Sequence, residues 1–152
     1  MRLSLQVQYA ICGLFDIAYN GQGGAVQVRL IGERQQIPTR YLEQIFQRLR
    51  RAQLVHGKRG PGGGYTLARS ARDITIGDIV EAVEGEIQGS QLPPIEANEA
   101  GDPRTFRPDF LWPELSARFN EVLADFTLEK LVRQAAHCAV PRSDSAAFIY
   151  QI

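Results

Sequence analysis

Thiols are scarce in this 152-residue chain: Cys12 and Cys138 are the only two, so no disulfide framework is expected and a reducing compartment is implied. Long apolar runs are missing as well. No stretch approaches the roughly 18 residues of a membrane span, and Gln6, Gln8 and Asp16 break up the opening apolar segment, which predicts no signal peptide. A cytoplasmic protein without membrane association is expected. Histidine is equally sparse, and His137-Cys138 is an adjacent pair rather than a spaced metal motif. Asp16, Glu33 and Glu81 are scattered, with no nucleophile and base beside them, so the chain reads as a non-enzyme.

Net charge is also absent, but this zero hides a division. Residues 1–72 hold eleven Arg/Lys against three Asp/Glu, a balance of +8, and residues 73–152 hold six against fourteen, a balance of −8. Such asymmetry points to a basic module that meets a polyanion, joined to an acidic remainder.

What the chain does have is helical periodicity. From Ser4 to Tyr19, Leu5, Cys12, Phe15 and Tyr19 recur at helical spacing until Asn20-Gly21 and Gly23-Gly24 stop the run. A short helix follows near Leu30–Gln35, and Ile37-Pro38 closes it. Thr39 is the expected N-cap of a third helix running to Arg51. Its Leu42, Ile45, Phe46 and Leu49 form one apolar stripe, while Arg40, Glu43, Gln44, Gln47 and Arg51 occupy the opposite face. Thr75-Ile-Gly-Asp78 has the form of a capping box opening a helix to about Glu84. Asp109 is the expected cap of a later helix with Pro113 in its first turn. The stripe of that helix is Leu111, Leu115, Phe119, Val122, Leu123 and Phe126, and a short helix over Thr127 to Gln134 follows.

The most informative segment is Arg59-Gly60-Pro61-Gly62-Gly63-Gly64-Tyr65. Four glycines and a proline in seven residues describe a sharply bent backbone tip that lets a partner approach closely. Leu54-Val55 before it and Tyr65-Thr66-Leu67 after it predict a two-stranded hairpin with arginine at its end. A phosphate-binding P-loop would need Lys and Ser/Thr after the last glycine, opening a helix; here a strand-like segment follows, and that reading fails. Helix, turn, helix, hairpin is the order of a winged helix-turn-helix. The expected fold is therefore mainly α with a small two-stranded β wing.

On this reading the third helix reads DNA. Glu43 accepts from cytosine, Gln44 pairs with adenine, and Arg40 or Thr39 reaches bases or phosphate. Arg48, Arg50 and Arg51 neutralise phosphates without reading sequence. Arg59, with Gly60 beside it, enters a narrow minor groove. Cys12 reads as a small buried hydrophobe, and His56 stands at the base of the wing.

Tyr41-Leu42-Glu43-Gln44-Ile45-Phe46, Leu49-Arg50 and the Arg59–Tyr65 turn together resemble the IscR/NsrR/CymR family of bacterial winged-helix repressors. The likeness runs from Met1-Arg2-Leu3 to about Gly85 and resumes at Leu111-Trp112-Pro113-Glu114-Leu115. It implies a homodimer with crossing C-terminal helices that reads a palindromic operator in double-stranded DNA. It assigns base contacts to Glu43 and its neighbours, Tyr41 included, and a minor-groove contact to Arg59. The expected organisation is a DNA-binding domain over 1–86, a loop over 87–108, dimerisation helices over 109–135 and a tail over 136–152.

One departure from the family is chemical. Iron–sulphur members hold their cluster with three cysteines in the loop before the long helix, and Gln88 to Pro108 contains none. Phe106 and Asp109 stand where ligands would be expected, and Gln8 stands where a first-helix carboxylate serves some members. No cluster and no other cofactor is expected. The source of control stays open between a protein partner, such as the cysteine-metabolism enzyme bound by some clusterless relatives, and a small-molecule or redox signal received at Cys12, Phe106, Phe110 or Trp112.

Overall fold

A computed structural model describes residues 3–86 and 107–143. Helix α1 (Leu5–Asn20) opens at Ser4, whose side chain accepts from the Val7 amide. It closes at Gly21, where a Cβ would lie 2.4 Å from the Ile17 carbonyl oxygen. Its buried stripe of Val7, Ala10, Leu14 and Ile17 forms the floor of the core.

Helix α2 (Val28–Gln35) starts two residues before the sequence places it and ends in the left-handed Gln36. Helix α3 (Thr39–Arg51) has the expected bounds, but its N-cap is Pro38 rather than Thr39. The Pro38 carbonyl accepts from the Tyr41 and Leu42 amides, and Thr39 Oγ1 turns back towards Gly32. Gly32 permits this close approach, since a Cβ there would lie 2.7 Å from the Ile37 carbonyl oxygen. Leu42, Ile45, Phe46 and Leu49 are all buried, as their spacing predicts.

Strands β1 (Val55–Lys58) and β2 (Gly64–Leu67) pair antiparallel from Val55↔Leu67 to Lys58↔Gly64. The wing is also fastened at its root. Val26 and Tyr65 exchange both backbone hydrogen bonds, at 2.9 and 2.8 Å, and the Tyr65 ring lies 4.8 Å from that of Phe46. Gly64 makes this possible: its φ is +145° and a Cβ would fall 2.3 Å from the Val26 carbonyl oxygen.

After a 3-10 turn at Ala71–Asp73, helix α4 (Ile76–Glu84) opens on the predicted capping box, with Thr75 and Asp78 exchanging side-chain and backbone bonds. Helix α5 (Leu111–Asp125) begins after Phe110, not on an Asp109 cap. Phe110 is already in the right-handed helical region and Leu111 donates to the Pro108 carbonyl, so the chain enters α5 from a turn. Asp109 instead accepts from Arg107 at 3.2 Å. Helix α6 (Leu128–His137) is capped by Thr127 and extends three residues beyond the expected Gln134. The α5–α6 junction is tied to the entry of α4, through Ile76 N–H to the Phe126 carbonyl and Leu128 N–H to the Ile74 carbonyl. Leu128 is fully buried in the cluster that holds α1, α3 and α4, so α6 shares their core. Among the described residues, no helix is long and apolar enough to cross a membrane.

Candidate nucleic-acid interface

Burying the apolar stripe of α3 turns Arg40, Glu43, Gln44, Gln47 and Arg51 outward as one exposed face. The wing stands on one side of that face. Gly57 of β1 passes beside Arg50, whose Cδ would lie 4.0 Å from a Cβ at that position. Beyond it, Lys58, Arg59 and Gly60 are all exposed at the hairpin tip. The tip turns through Gly60 and Gly62, both at positive φ, and the Gly63 amide donates to the Gly60 carbonyl at 2.8 Å. This gives a polar helix face with a projecting cationic loop beside it.

The other flank of α3 was not legible in the sequence. There Leu5, Gln6 and Tyr9 of α1 line a groove of about 390 Å³ with Tyr41, Gln44, Ile45 and Arg48. Tyr41 is held within it. Arg40 donates to its hydroxyl at 2.9 Å and lies over its ring, and the Tyr9 ring sits 6.4 Å away. Arg48 differs from Arg50 and Arg51. Its Nη1 donates to Gln6 Oε1 at 2.8 Å and to the Val83 carbonyl at 3.1 Å, so it ties α3 to α1 and α4. Thr39 is half-buried against Gly32, on the edge of the face rather than on it.

The six residues of the predicted α5 stripe separate. Leu115, Phe119, Val122 and Phe126 are exposed, the last two at 56% and 54%, whereas Leu123 packs against the core beside Gly77 of α4. Leu111 is half-buried. Of the candidate sensing residues, Cys12 is half-buried on α1, and burial pushes its thiol above its ordinary pKa. Trp112 is half-buried with its indole N–H enclosed and unpartnered. Phe106 lies outside the described residues.

Asp16 has a structural role that its isolated position in the sequence does not reveal. It is fully buried and receives Arg34 through Nε and Nη2, Gln35 Nε2 and Asn20 Nδ2, all at 2.5–3.1 Å. The available signal was its position three residues after the buried Gly13 on the inner side of α1, where a carboxylate requires a partner.

Over residues 3–134 the chain matches the Rrf2 family, described as iron-dependent transcriptional regulators. The chain belongs to this family. It is 39% identical over 132 residues to the HTH-type transcriptional regulator IscR of Pectobacterium carotovorum, covering 87% of this chain and 79% of that protein. It is 37% identical over 157 residues to IscR of Salmonella agona, covering 97% and 94%. Among solved structures, T. potens IscR superposes with a TM-score of 0.69 at 30% identity, covering 94% of each chain. CymR, the global cysteine regulator of B. subtilis, does so with a TM-score of 0.69 at 31% identity, covering 88% of this chain and 98% of that one. As an Rrf2 protein the chain is a DNA-binding transcription regulator with a winged helix-turn-helix, and not an enzyme.

The family description raises iron, and the donors present do not fit an iron–sulphur cluster. Such clusters are held mainly by cysteine thiolates, and the only two cysteines stand on different elements, Cys12 within α1 and Cys138 at the end of α6. Among the described residues, no three His, Cys, Asp or Glu side chains are grouped to hold a metal.

Proposed function

We propose that this Rrf2 protein acts as a homodimer on a palindromic operator, laying α3 in the major groove and the wing in the flanking minor groove. The observation that carries this reading is the polar face of α3, exposed beside the Lys58-Arg59-Gly60 tip. Glu43, Gln44 and Arg40 read base edges, Arg50 and Arg51 contact phosphate, and Arg59 enters the minor groove. Tyr41 and Thr39 serve at the edges of the face. Arg48 braces α3 in the free protein through Nη1, and a phosphate contact falls to the other N–H groups of its exposed guanidinium.

The exposed part of α5, formed by Leu115, Phe119, Val122 and Phe126, is the proposed dimer surface, with Leu111 at its edge. Four large apolar side chains on one helix favour burial against a second copy. Residues 1–86 then form the DNA-reading unit and residues 109–135 carry dimerisation, with α6 also anchoring that helix to the core. The proposed regulator works without an iron–sulphur cluster, and its control falls to a protein or small-molecule effector. A gel-shift titration against DNA from the protein's own promoter region tests the reading. A specific complex at moderate salt is expected, and only salt-sensitive, sequence-independent binding refutes it.

A further inference from the structure

The last described residues, 140–143, return from α6 to the end of α1 and to α2. Tyr19 donates its hydroxyl to the Val140 carbonyl at 2.7 Å, and the Arg142 guanidinium lies 4.6 Å from the centroid of the Tyr19 ring. The Ser143 amide donates to Asn20 Oδ1 at 3.0 Å, and Arg34 Nη1 donates to Ser143 Oγ at 3.2 Å. Two of these partners belong to the buried carboxylate network. Arg34 grips Asp16 through Nε and Nη2, and Asn20 Nδ2 donates to Asp16 Oδ1 at 3.0 Å. The tail, α1 and α2 therefore meet at one polar joint.

Helix α2 needs such a joint. It has eight residues, of which only Ile31 and Gly32 are buried, and a helix that short has little stability of its own. The planar guanidinium of Arg34 fixes direction in a way a lysine ammonium does not. Whatever sets α2 also sets α3, because three residues join them and Gly32 lies directly against the Ile37 carbonyl and Thr39.

We propose that residues 140–143 form a strap that positions α2, and through it the reading helix α3, with Asp16 and Arg34 as the positioning pair. The proposal rests on the DNA-reading assignment of α3. It gives residues 140–143 a hold on the DNA-binding unit, so that release of this segment is transmitted to the operator contact.

The test uses the full chain and a Tyr19→Phe/Arg142→Ala/Ser143→Ala variant. Backbone hydrogen exchange is followed in α2 and α4, together with thermal melting. Affinity is measured for the duplex that the unaltered protein selects from a random library and for a scrambled duplex at the same salt. The α2 amides are expected to exchange about tenfold faster while those of α4 keep their rate. Affinity for the selected duplex is expected to fall about tenfold with that for the scrambled duplex unchanged. Arg34→Lys reproduces both effects, and Ser143→Thr, which keeps the hydroxyl, reproduces neither.

Unchanged α2 exchange overturns the strap. So does acceleration across all helices in step with a lower melting temperature, which marks a general stability effect. Faster α2 exchange with an unchanged specificity ratio overturns the positioning role. If the unaltered protein selects no duplex above scrambled DNA, the DNA-reading assignment itself has failed, and positioning for reading falls with it; the exchange rates then still report separately on the α2 joint.

Discussion

Asp16 on α1 and Arg34 on α2, eighteen residues apart, form a two-point ion pair in which the carboxylate has no solvent exposure at all. Removing one member of such a pair leaves a buried charge without compensation. Asp16→Ala is expected to destabilise the fold by roughly 3–5 kcal/mol, as pairs of this kind do when broken. Urea unfolding gives the value. A loss under about 1 kcal/mol, the size typical of exposed pairs, shows that water reaches the carboxylate.

Two glycines of the wing separate a structural requirement from a functional one. Gly64 has no room for a side chain against Val26, so Gly64→Ala forces the wing off its root and lowers both the melting temperature and DNA affinity. Gly60 has φ +88° but open space around it, so Gly60→Ala meets about 1–3 kcal/mol of backbone strain without a steric clash and lowers the melting temperature less than Gly64→Ala. Equal melting temperatures for the two variants refute this division.

Arg59 and Glu43 differ in what they contact in the proposed complex. Arg59→Ala is expected to weaken binding most at sites with A·T-rich DNA under the wing. Glu43→Ala is expected to relax the preference at one base position by roughly 1–3 kcal/mol. Binding measured across a panel of single-position operator variants distinguishes them, and uniform losses from both substitutions contradict the assignment.

Much of this arrangement was legible because periodicity and turn chemistry are local. The i, i+3, i+4, i+7 stripe of Leu42, Ile45, Phe46 and Leu49 marked α3 and its buried face, although Pro38 and not Thr39 caps it. The glycines of residues 60–64 gave the hairpin, and Thr75 with Asp78 gave the start of α4. The misses depend on contacts between distant residues. Nothing local ties Arg48 to Gln6 and Val83, or Ser143 to Asn20 and Arg34. Leu123 differs from Val122 by one helical step, and only the packing of α4 decides which of the two turns inward.

The two cysteines should differ sharply in reactivity. Burial raises the Cys12 pKa, so its thiolate is rarer near neutral pH than that of an ordinary thiol, whereas Cys138 is exposed. Iodoacetamide at pH 7.5 is expected to label Cys138 first, as read by peptide mass spectrometry. Cys12 labelling accelerates as pH rises towards the raised pKa, or when the chain is unfolded in urea. The same sign applies to stability: the preference of the folded site for the neutral thiol is fully present below the unfolded-chain pKa and is lost as pH rises through the folded one. Preferential labelling of Cys12 in the folded protein refutes this and revives its candidacy as a redox sensor.

The proposed dimer surface makes a prediction that neighbouring residues of one helix answer differently. Val122 is 56% exposed and Phe119 also faces outward, so a glutamate at either position meets solvent in the monomer and leaves its fold intact. In a dimer the same carboxylate is placed in an apolar interface, close to its symmetry copy, with desolvation and like-charge repulsion acting together. Phe119→Glu/Val122→Glu is therefore expected to shift sedimentation to the monomer while the circular dichroism melt stays nearly unchanged. Operator affinity drops because each half-site is then bound alone. Leu123→Ala has the opposite profile: it loosens the packing of α5 against α4, lowers the melting temperature by an amount corresponding to about 1–2 kcal/mol, and leaves the dimer contact in place. A monomeric unaltered protein, or a doubly charged variant that remains dimeric, moves the interface away from this face of α5.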